Sequence, residues 1–225
     1  MTTSAMPGAP AVNGPRVAYQ GEPGAYGEMA IVRQWSGTAS AMGAPTFADT
    51  IGLLASGDAD LAVIPVWNST IGDLQDTNLL LAHHVARIDT VGEVSVPIEH
   101  CLLALPGASF ATVRYVGSQA AALAQCRRLF VTRPALQPCV AHDTAGAARQ
   151  LAALGGTVSE DSAQPRTPAW YEPYRRATSP TALAVIAGAQ AARAYGLVVL
   201  AERVQDEPAN TTRFVVLKAK EGARW

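Results

Sequence analysis

The chain is poor in the features that mark the easily recognised protein classes. Charged residues are only 16% of its 225 positions, and lysine plus arginine nearly balance aspartate plus glutamate, for a net charge of −1. No run of Lys and Arg occurs, so a nucleic-acid or polyanion surface has no electrostatic basis, although a local pocket for a small anion does. There are three cysteines, Cys101, Cys126 and Cys139, scattered and without a C-x-x-C, which excludes a zinc ribbon or redox pair and predicts buried free thiols in a reducing compartment. No zinc-ligand spacing, P-loop or G-x-S-x-G is present, and no metal or cofactor is expected. No apolar run is long enough to span a membrane, and "MTTSAMPGAPAVNGPR" lacks the apolar core of a signal peptide, so residues 1–15 read as a flexible tail and the cytoplasm is the expected compartment.

What is there is apolar and regular. Hydrophobic residues make up 49%, enough for a sizeable core in one large domain or two small lobes. "RVAYQG" (16–21) reads as a strand entering a glycine turn, and 28–35 as a helix. "PTFADTIGLLASGDADLAVIPV" reads as strand, helix, strand, with Asp49 capping the helix and Gly57 ending it. "LAVIPV" (61–66) is a strand buried on both faces. A helix is predicted around 72–83, a strand over 96–105 and a helix over 118–130 with Ser118 as N-cap. A further helix is predicted over 143–154, ended by Gly155 and Gly156. A Pro-, Ser- and charge-rich excursion follows to about 180. A helix is then predicted over 179–196, with Ser179 as cap, Pro180 at its first position and Gly196 beyond its end. "LVVLAERV" and "TRFVVLKA" read as strands. Alternating strands and helices predict an α/β fold with a largely parallel sheet and a ligand cleft between two lobes.

Four stretches carry polar groups where chemistry could sit. In "YQGEPGAYGE", Gly21, Gly24 and Gly27 join a strand to a helix, where backbone N–H groups can hold an anion or simply make a tight turn. In "PVWNSTIG", Asn68, Ser69 and Thr70 follow a buried strand, where ligands bind in open α/β sheets and where the same residues cap helices. His83 and His84 are neighbours on a helix and cannot face one metal; His100 and Cys101 are neighbours on a predicted strand and point apart. His142–Asp143 reads as a turn and helix cap. In "EPANTTRFVVL", strand alternation puts Thr212 and Phe214 on one face and Thr211 and Arg213 on the other.

Taken in order, "VAYQGEPGAYGE", "ADLAVIPVWNSTIG", "GEVSVPIEHCLLALPG", "ALAQC", "DTAGAA" and "AARAYGLVVLAERVQDEPANTTRFVVL", with its Asn-x-Thr-Arg-Phe, resemble the prephenate dehydratase family and its close relative, arogenate dehydratase, from about 16 to 217. The resemblance implies a two-lobed, periplasmic-binding-protein-like (type II) α/β fold with its site in the interlobe cleft. It implies one lobe of 16–92 plus 181–217, another of 93–180 and a short tail at 218–225. It implies a small-molecule substrate, prephenate or arogenate, no cofactor, and a homodimer or higher oligomer. No regulatory domain, and hence no feedback control within this chain, is expected. Thr212 is implied as the catalytic residue. Glu28, Gly24, Asn68, Ser69, Thr70, Ser118, Gln119, Asn210, Arg213 and Phe214 are implied as substrate-binding.

The chemistry fits a polar wall made of these residues. Prephenate is a dianion whose aromatisation expels a ring hydroxyl and CO2, and the leaving oxygen needs a hydrogen-bond or proton donor. A threonine hydroxyl is a poor acid, so Thr212 is expected to position and polarise, while glycine-loop amides and Asn68, Ser69 and Thr70 supply the anchor for the pyruvyl carboxylate. Arg213 either holds the pyruvyl end or braces the wall, because an ion pair to the ring carboxylate would oppose loss of CO2. The chain departs from the family pattern at Trp67, where Glu is usual, at Gln119 and Ala120, where His-Pro is usual, and at Gly27, where Ser is usual. A Trp67 lining the cleft would reshape it. Two other readings therefore stand beside the dehydratase: a diverged prephenate-processing enzyme of decarboxylase type, and a non-catalytic module that closes on a small anion.

Overall fold

The computed structural model describes residues 14–156 and 179–225, which form two β-sheets flanked by helices. The first sheet runs in the order β2 (Ser40–Ala44), β1 (Arg16–Gln20), β3 (Leu61–Asn68), β11 (Thr211–Ala219), β5 (Ile88–Pro97), with the short β4 (Gly72–Asp73) paired to β3. The second runs β10 (Val198–Ala201), β6 (Cys101–Ala104), β9 (Leu183–Ala187), β7 (Tyr115–Gln119), β8 (Gln137–Ala141). The expected largely parallel sheet is corrected: β1 is parallel to β2 and β3, but β11 is antiparallel to both its neighbours, and β6 to β9 and β10. The reason is connectivity. The chain leaves the first sheet after β5 and returns only as β11, which slots between β3 and β5 from the opposite direction.

The two crossings, 98–100 and 202–210, run side by side. The Ile98 N–H donates to the Asn210 carbonyl at 2.8 Å, and the Val204 N–H to the His100 carbonyl at 2.8 Å. Residues 183–201 pair within the second sheet and β5 stays in the first through Pro97, so strand pairing divides the chain differently from the expected 16–92 plus 181–217. Residues after Ala219 turn back onto the first sheet, where the Lys220 N–H donates to the Arg87 carbonyl.

Seven helices lie among the described residues: α1 (Tyr26–Trp35), α2 (Phe47–Ser56), α3 (Gln75–His84), α4 (Ala120–Ala124), α5 (Arg127–Thr132), α6 (Thr144–Leu154) and α7 (Ala189–Tyr195). Local chemistry corrects several expected boundaries. Thr46, not Asp49, caps α2: its Oγ1 accepts from the Asp49 N–H, and its hydroxyl donates to the Asp49 carboxylate at 2.7 Å. Gly57 ends that helix in the left-handed region, as expected. The single strand predicted over 96–105 is two strands in different sheets, broken at the crossing. Ser118 is not a cap but a β7 residue, fully buried, whose hydroxyl donates to the Ile186 carbonyl at 2.7 Å. The helix predicted over 179–196 is a 3-10 turn capped by Ser179, then β9, then α7 ended by Gly196. Every β9 residue is buried, and an unbroken apolar run carries no periodicity that separates a core strand from a core helix. Asp143 caps α6 as expected. The excursion expected up to about 180 falls mainly outside the described residues. All three cysteines are buried and free. No helix among the described residues is long and apolar enough to cross a membrane.

Candidate functional site

The site grows from the register of β3 and β11. Thr212 pairs with Asn68, and a register shift between Arg213 and Phe214 follows immediately. Both Asn68 and Thr212 are buried. The Asn68 side-chain amide donates to Thr212 Oγ1 at 2.9 Å, to Asn210 Oδ1 at 2.7 Å and to the Thr211 carbonyl at 3.2 Å. Its oxygen accepts from the Thr70 and Ile71 backbone N–H groups and from the Thr70 hydroxyl. Backbone donors and a backbone acceptor thus fix which way the amide points. Asn68 therefore holds Thr212 as an acceptor, leaving the Thr212 hydroxyl hydrogen directed away from Asn68.

The pattern propagates. Asn210 Oδ1 is used by Asn68, so its Nδ2 donates to Gln125 Oε1 at 2.9 Å, and Gln125 Nε2 donates to Thr70 Oγ1 at 2.8 Å. Gln125, on the turn between α4 and α5, ties the second sheet's unit to the mouth of the first. With Gln125 Oε1 an acceptor, His100 Nε2, 3.1 Å away, carries a hydrogen. His100 Nδ1 lies 3.0 Å from the Tyr26 hydroxyl, which is 2.9 Å from the Glu99 carbonyl. Burial pushes the His100 pKa down, and the Gln125 hydrogen bond offsets only part of this. Burial, then the neighbouring Cys101, Cys126 and Glu99, push Tyr26 well up.

These residues border a cavity of 410 Å³, into which Thr212, Phe214, Asn68, Gln119, Gln125, His100 and Tyr26 contribute. The first turns of α1 (Tyr26, Gly27), α3 (Gln75, Asp76, Thr77) and α6 (Thr144) also line it. First-turn N–H groups have no intrahelical acceptor and carry the positive end of the helix dipole, a setting for carboxylates. Among the described lining residues the acidic side chains are Asp73, Asp76 and Asp143, and there is no lysine or arginine. No group of three or more His, Cys, Asp or Glu among the described residues could hold a metal ion.

The predicted site residues divide. Thr212, Phe214, Asn68 and Gln119 line the cavity. Thr70 and Asn210 stand one hydrogen bond behind it. Ser69, whose Oγ accepts from the Thr211 N–H at 2.9 Å, closes the turn. Gly24 does not line the cavity: its N–H is already donated to the Glu28 carboxylate at 2.6 Å, and its left-handed backbone (φ +87°) lies against Ala191 of α7. Glu28 is occupied by that bond, and Ser118 by Ile186. Arg213 is exposed on the opposite face, its guanidinium 5.8 Å from the Trp67 ring. Trp67 does not line the cavity either, so the condition under which its exchange would reshape the pocket is not met.

Sequence reasoning passed over Gln125, His100 and Tyr26. His100 was weighed only as a partner for Cys101, whose thiol sits in the second sheet's core with its pKa pushed up by burial. A chemistry-based signal existed: a histidine, a tyrosine and a glutamine, each within a stretch that also carried a motif.

Comparison with known proteins agrees with the geometry. The family model for prephenate dehydratase matches residues 17–222. Arogenate dehydratase 1 of Petunia hybrida is 38% identical over 204 residues, covering 90% of this chain and 42% of its own length. A bifunctional N-acyl-homoserine lactone acylase/prephenate dehydratase of Komagataeibacter europaeus is 35% identical over 206 residues, covering 91% of this chain and 63% of its own length. The chain thus spans less than two thirds of the curated relatives it matches, from 41% to 63% of their length. A solved prephenate dehydratase from Arthrobacter aurescens, in complex with L-Phe, superposes with a TM-score of 0.70 at 24% identity, over 92% of this chain and 61% of that one. That likeness shows the fold, an α/β arrangement built on two sheets. A family match over nearly the whole described chain, on a site built around the Asn68–Thr212 pair, places this protein in the prephenate dehydratase family.

Proposed function

We propose that this chain dehydrates and decarboxylates prephenate to phenylpyruvate, a carbon–oxygen lyase step in phenylalanine biosynthesis. The observation that carries the reading is the Thr212 hydroxyl, bordering the cavity and held from behind by the Asn68 amide. With its oxygen accepting from Asn68, its hydrogen is available to the departing ring hydroxyl. An oriented donor aimed where charge develops is how such a group accelerates a reaction. The first turns of α1, α3 and α6 serve the substrate carboxylates. Arg213, turned away beside Trp67, braces the strand, the second of its two expected roles.

Arogenate is the second reading, and one observation favours it. The acidic side chains of Asp73, Asp76 and Asp143 on the lining suit an ammonium better than a keto group. The test is parallel turnover of prephenate and arogenate, following phenylpyruvate from the first and phenylalanine from the second. Consumption of prephenate without phenylpyruvate would instead identify a non-aromatising enzyme. Stabilisation by prephenate without any turnover would identify a binding module.

A further inference from the structure

The reaction consumes a proton. When dianionic prephenate gives phenylpyruvate, CO2 and water, the hydroxide leaving the ring must be protonated once per turnover. Thr212 can donate a hydrogen bond but is too weak an acid to supply that proton. Asp143 is engaged as the α6 cap, Asp76 sits in the first turn of α3, and Asp73 is exposed on β4. Among the described lining residues, that leaves His100 as the side chain able to become a cation.

The hydrogen-bond inventory around His100 points the same way. Three contacts run in series: Nε2 to Gln125 Oε1 at 3.1 Å, Nδ1 to the Tyr26 oxygen at 3.0 Å, and the Tyr26 oxygen to the Glu99 carbonyl at 2.9 Å. Both ends are acceptors: Glu99 offers a carbonyl, and Gln125 Oε1 already accepts from Asn210. A neutral imidazole and a tyrosine bring two hydrogens to three contacts. An imidazolium brings the third and satisfies all of them. Burial disfavours the charged ring while the cavity is empty; an anion entering beside it acts in the opposite direction. His100 is bonded to Tyr26 from α1, to Gln125 from the α4–α5 turn and, through its backbone N–H, to Gln205 from the second crossing, while Cys101, Cys126 and Glu99 lie near Tyr26. The Cys126 thiol is pushed up to about 12 by burial, Cys101 is raised for the same reason, and Tyr26 is higher still than its usual value. Among these groups His100 is the one whose protonated form is a cation.

We propose that His100 is the proton reservoir of the site, protonated as the anionic substrate enters, with Tyr26 passing the proton to the departing oxygen. This rests on the dehydratase reading. In the step, the ring C–OH bond breaks with its electron pair on oxygen, which takes the Tyr26 hydroxyl hydrogen and leaves as water. The bond to the ring carboxylate breaks with its pair closing the aromatic ring and releases CO2. The Tyr26 oxygen takes the Nδ1 hydrogen of His100, which ends neutral and is recharged from solvent with the next substrate.

The test is calorimetric and kinetic. Prephenate is titrated into the Thr212→Ala protein in buffers of differing ionisation enthalpy at pH 7.5. The expected result is uptake of about half a proton or more per site, falling to near zero in T212A/H100Q while binding persists. Gln at position 100 keeps a donor for Gln125 but cannot carry charge. In parallel, kcat of the otherwise unchanged protein falls with rising pH by about tenfold per unit above the bound-state transition. That limb is lost in H100Q, and kcat drops in Tyr26→Phe with KM held. Binding without proton uptake, uptake that survives H100Q, or an H100Q profile that keeps its limb overturns the inference while leaving the dehydratase reading intact. Where T212A does not bind, the kinetic arm decides. Failure of the parent protein to make phenylpyruvate from prephenate or phenylalanine from arogenate overturns the dehydratase reading, and this inference with it.

Discussion

Asn68 and Thr212 face each other across adjacent antiparallel strands, and the amide hydrogen of Asn68 is bound to the Thr212 oxygen at 2.9 Å. Because backbone N–H groups of Thr70 and Ile71 already claim the Asn68 oxygen, the pair has one polarity. On the proposed dehydratase reading, Asn68 positions the hydroxyl, its amide and oxygen both being bonded within the protein.

Asn68→Asp tests that polarity. The replacement removes the donors to Asn210, Thr211 and Thr212 and sets a carboxylate oxygen among buried acceptors. A stability loss of about 1–3 kcal/mol is expected from the unsatisfied groups, with a fall in kcat because the Thr212 hydrogen turns back toward the new oxygen. Denaturant melts and steady-state rates measure both; an unchanged kcat would show that the amide does not orient the hydroxyl.

Gly24→Ala separates packing from anion binding in the glycine loop. A Cβ there would lie 2.7 Å from the Ala191 Cα, on a backbone at φ +87°. The expected cost is about 1–3 kcal/mol of stability, read as a lowered unfolding midpoint. A stable variant with weakened substrate binding would mean the loop serves the ligand after all.

Trp67→Glu restores the residue usual in the family. Since Trp67 stands beside Arg213 on the face away from the cavity, KM is expected to stay within about twofold, equivalent to about 0.5 kcal/mol. A KM change of an order of magnitude would place position 67 in substrate recognition.

The pH dependence of folding follows from His100. Burial lowers its folded pKa, so the unfolded chain binds the proton more readily. The stability this group contributes is complete above its unfolded pKa of about 6.5 and is lost as pH falls toward the lower folded value, by up to about 1.4 kcal/mol per unit. Unfolding free energies of the ligand-free protein between pH 8 and 5 measure the slope, and H100Q should flatten it. Equal slopes would mean that His100 is not buried neutral.

Much of this arrangement was legible in the chain. The strand at 61–66, the strand after Asn210 and the alternation that puts Thr212 and Phe214 on one face follow from apolar runs and period-two geometry. What the sequence hid had physical causes. β9 is apolar on both sides, so nothing in its pattern distinguishes strand from helix. Asn210 and Gln125 lie 85 positions apart and His100 and Gln125 lie 25 apart, so their meeting is set by the two crossings. Ser118 has the chemistry of a cap, but its hydroxyl is spent on a neighbouring strand.

The most direct measurement is phenylpyruvate release from prephenate at mildly alkaline pH, where acid-driven aromatisation is slow, by the parent protein, Thr212→Ser and Thr212→Val. The account predicts release by the parent, largely retained by the serine variant and lowered about 10²–10³-fold by valine. Equal rates for parent and valine variant, or release by none of the three, would contradict it.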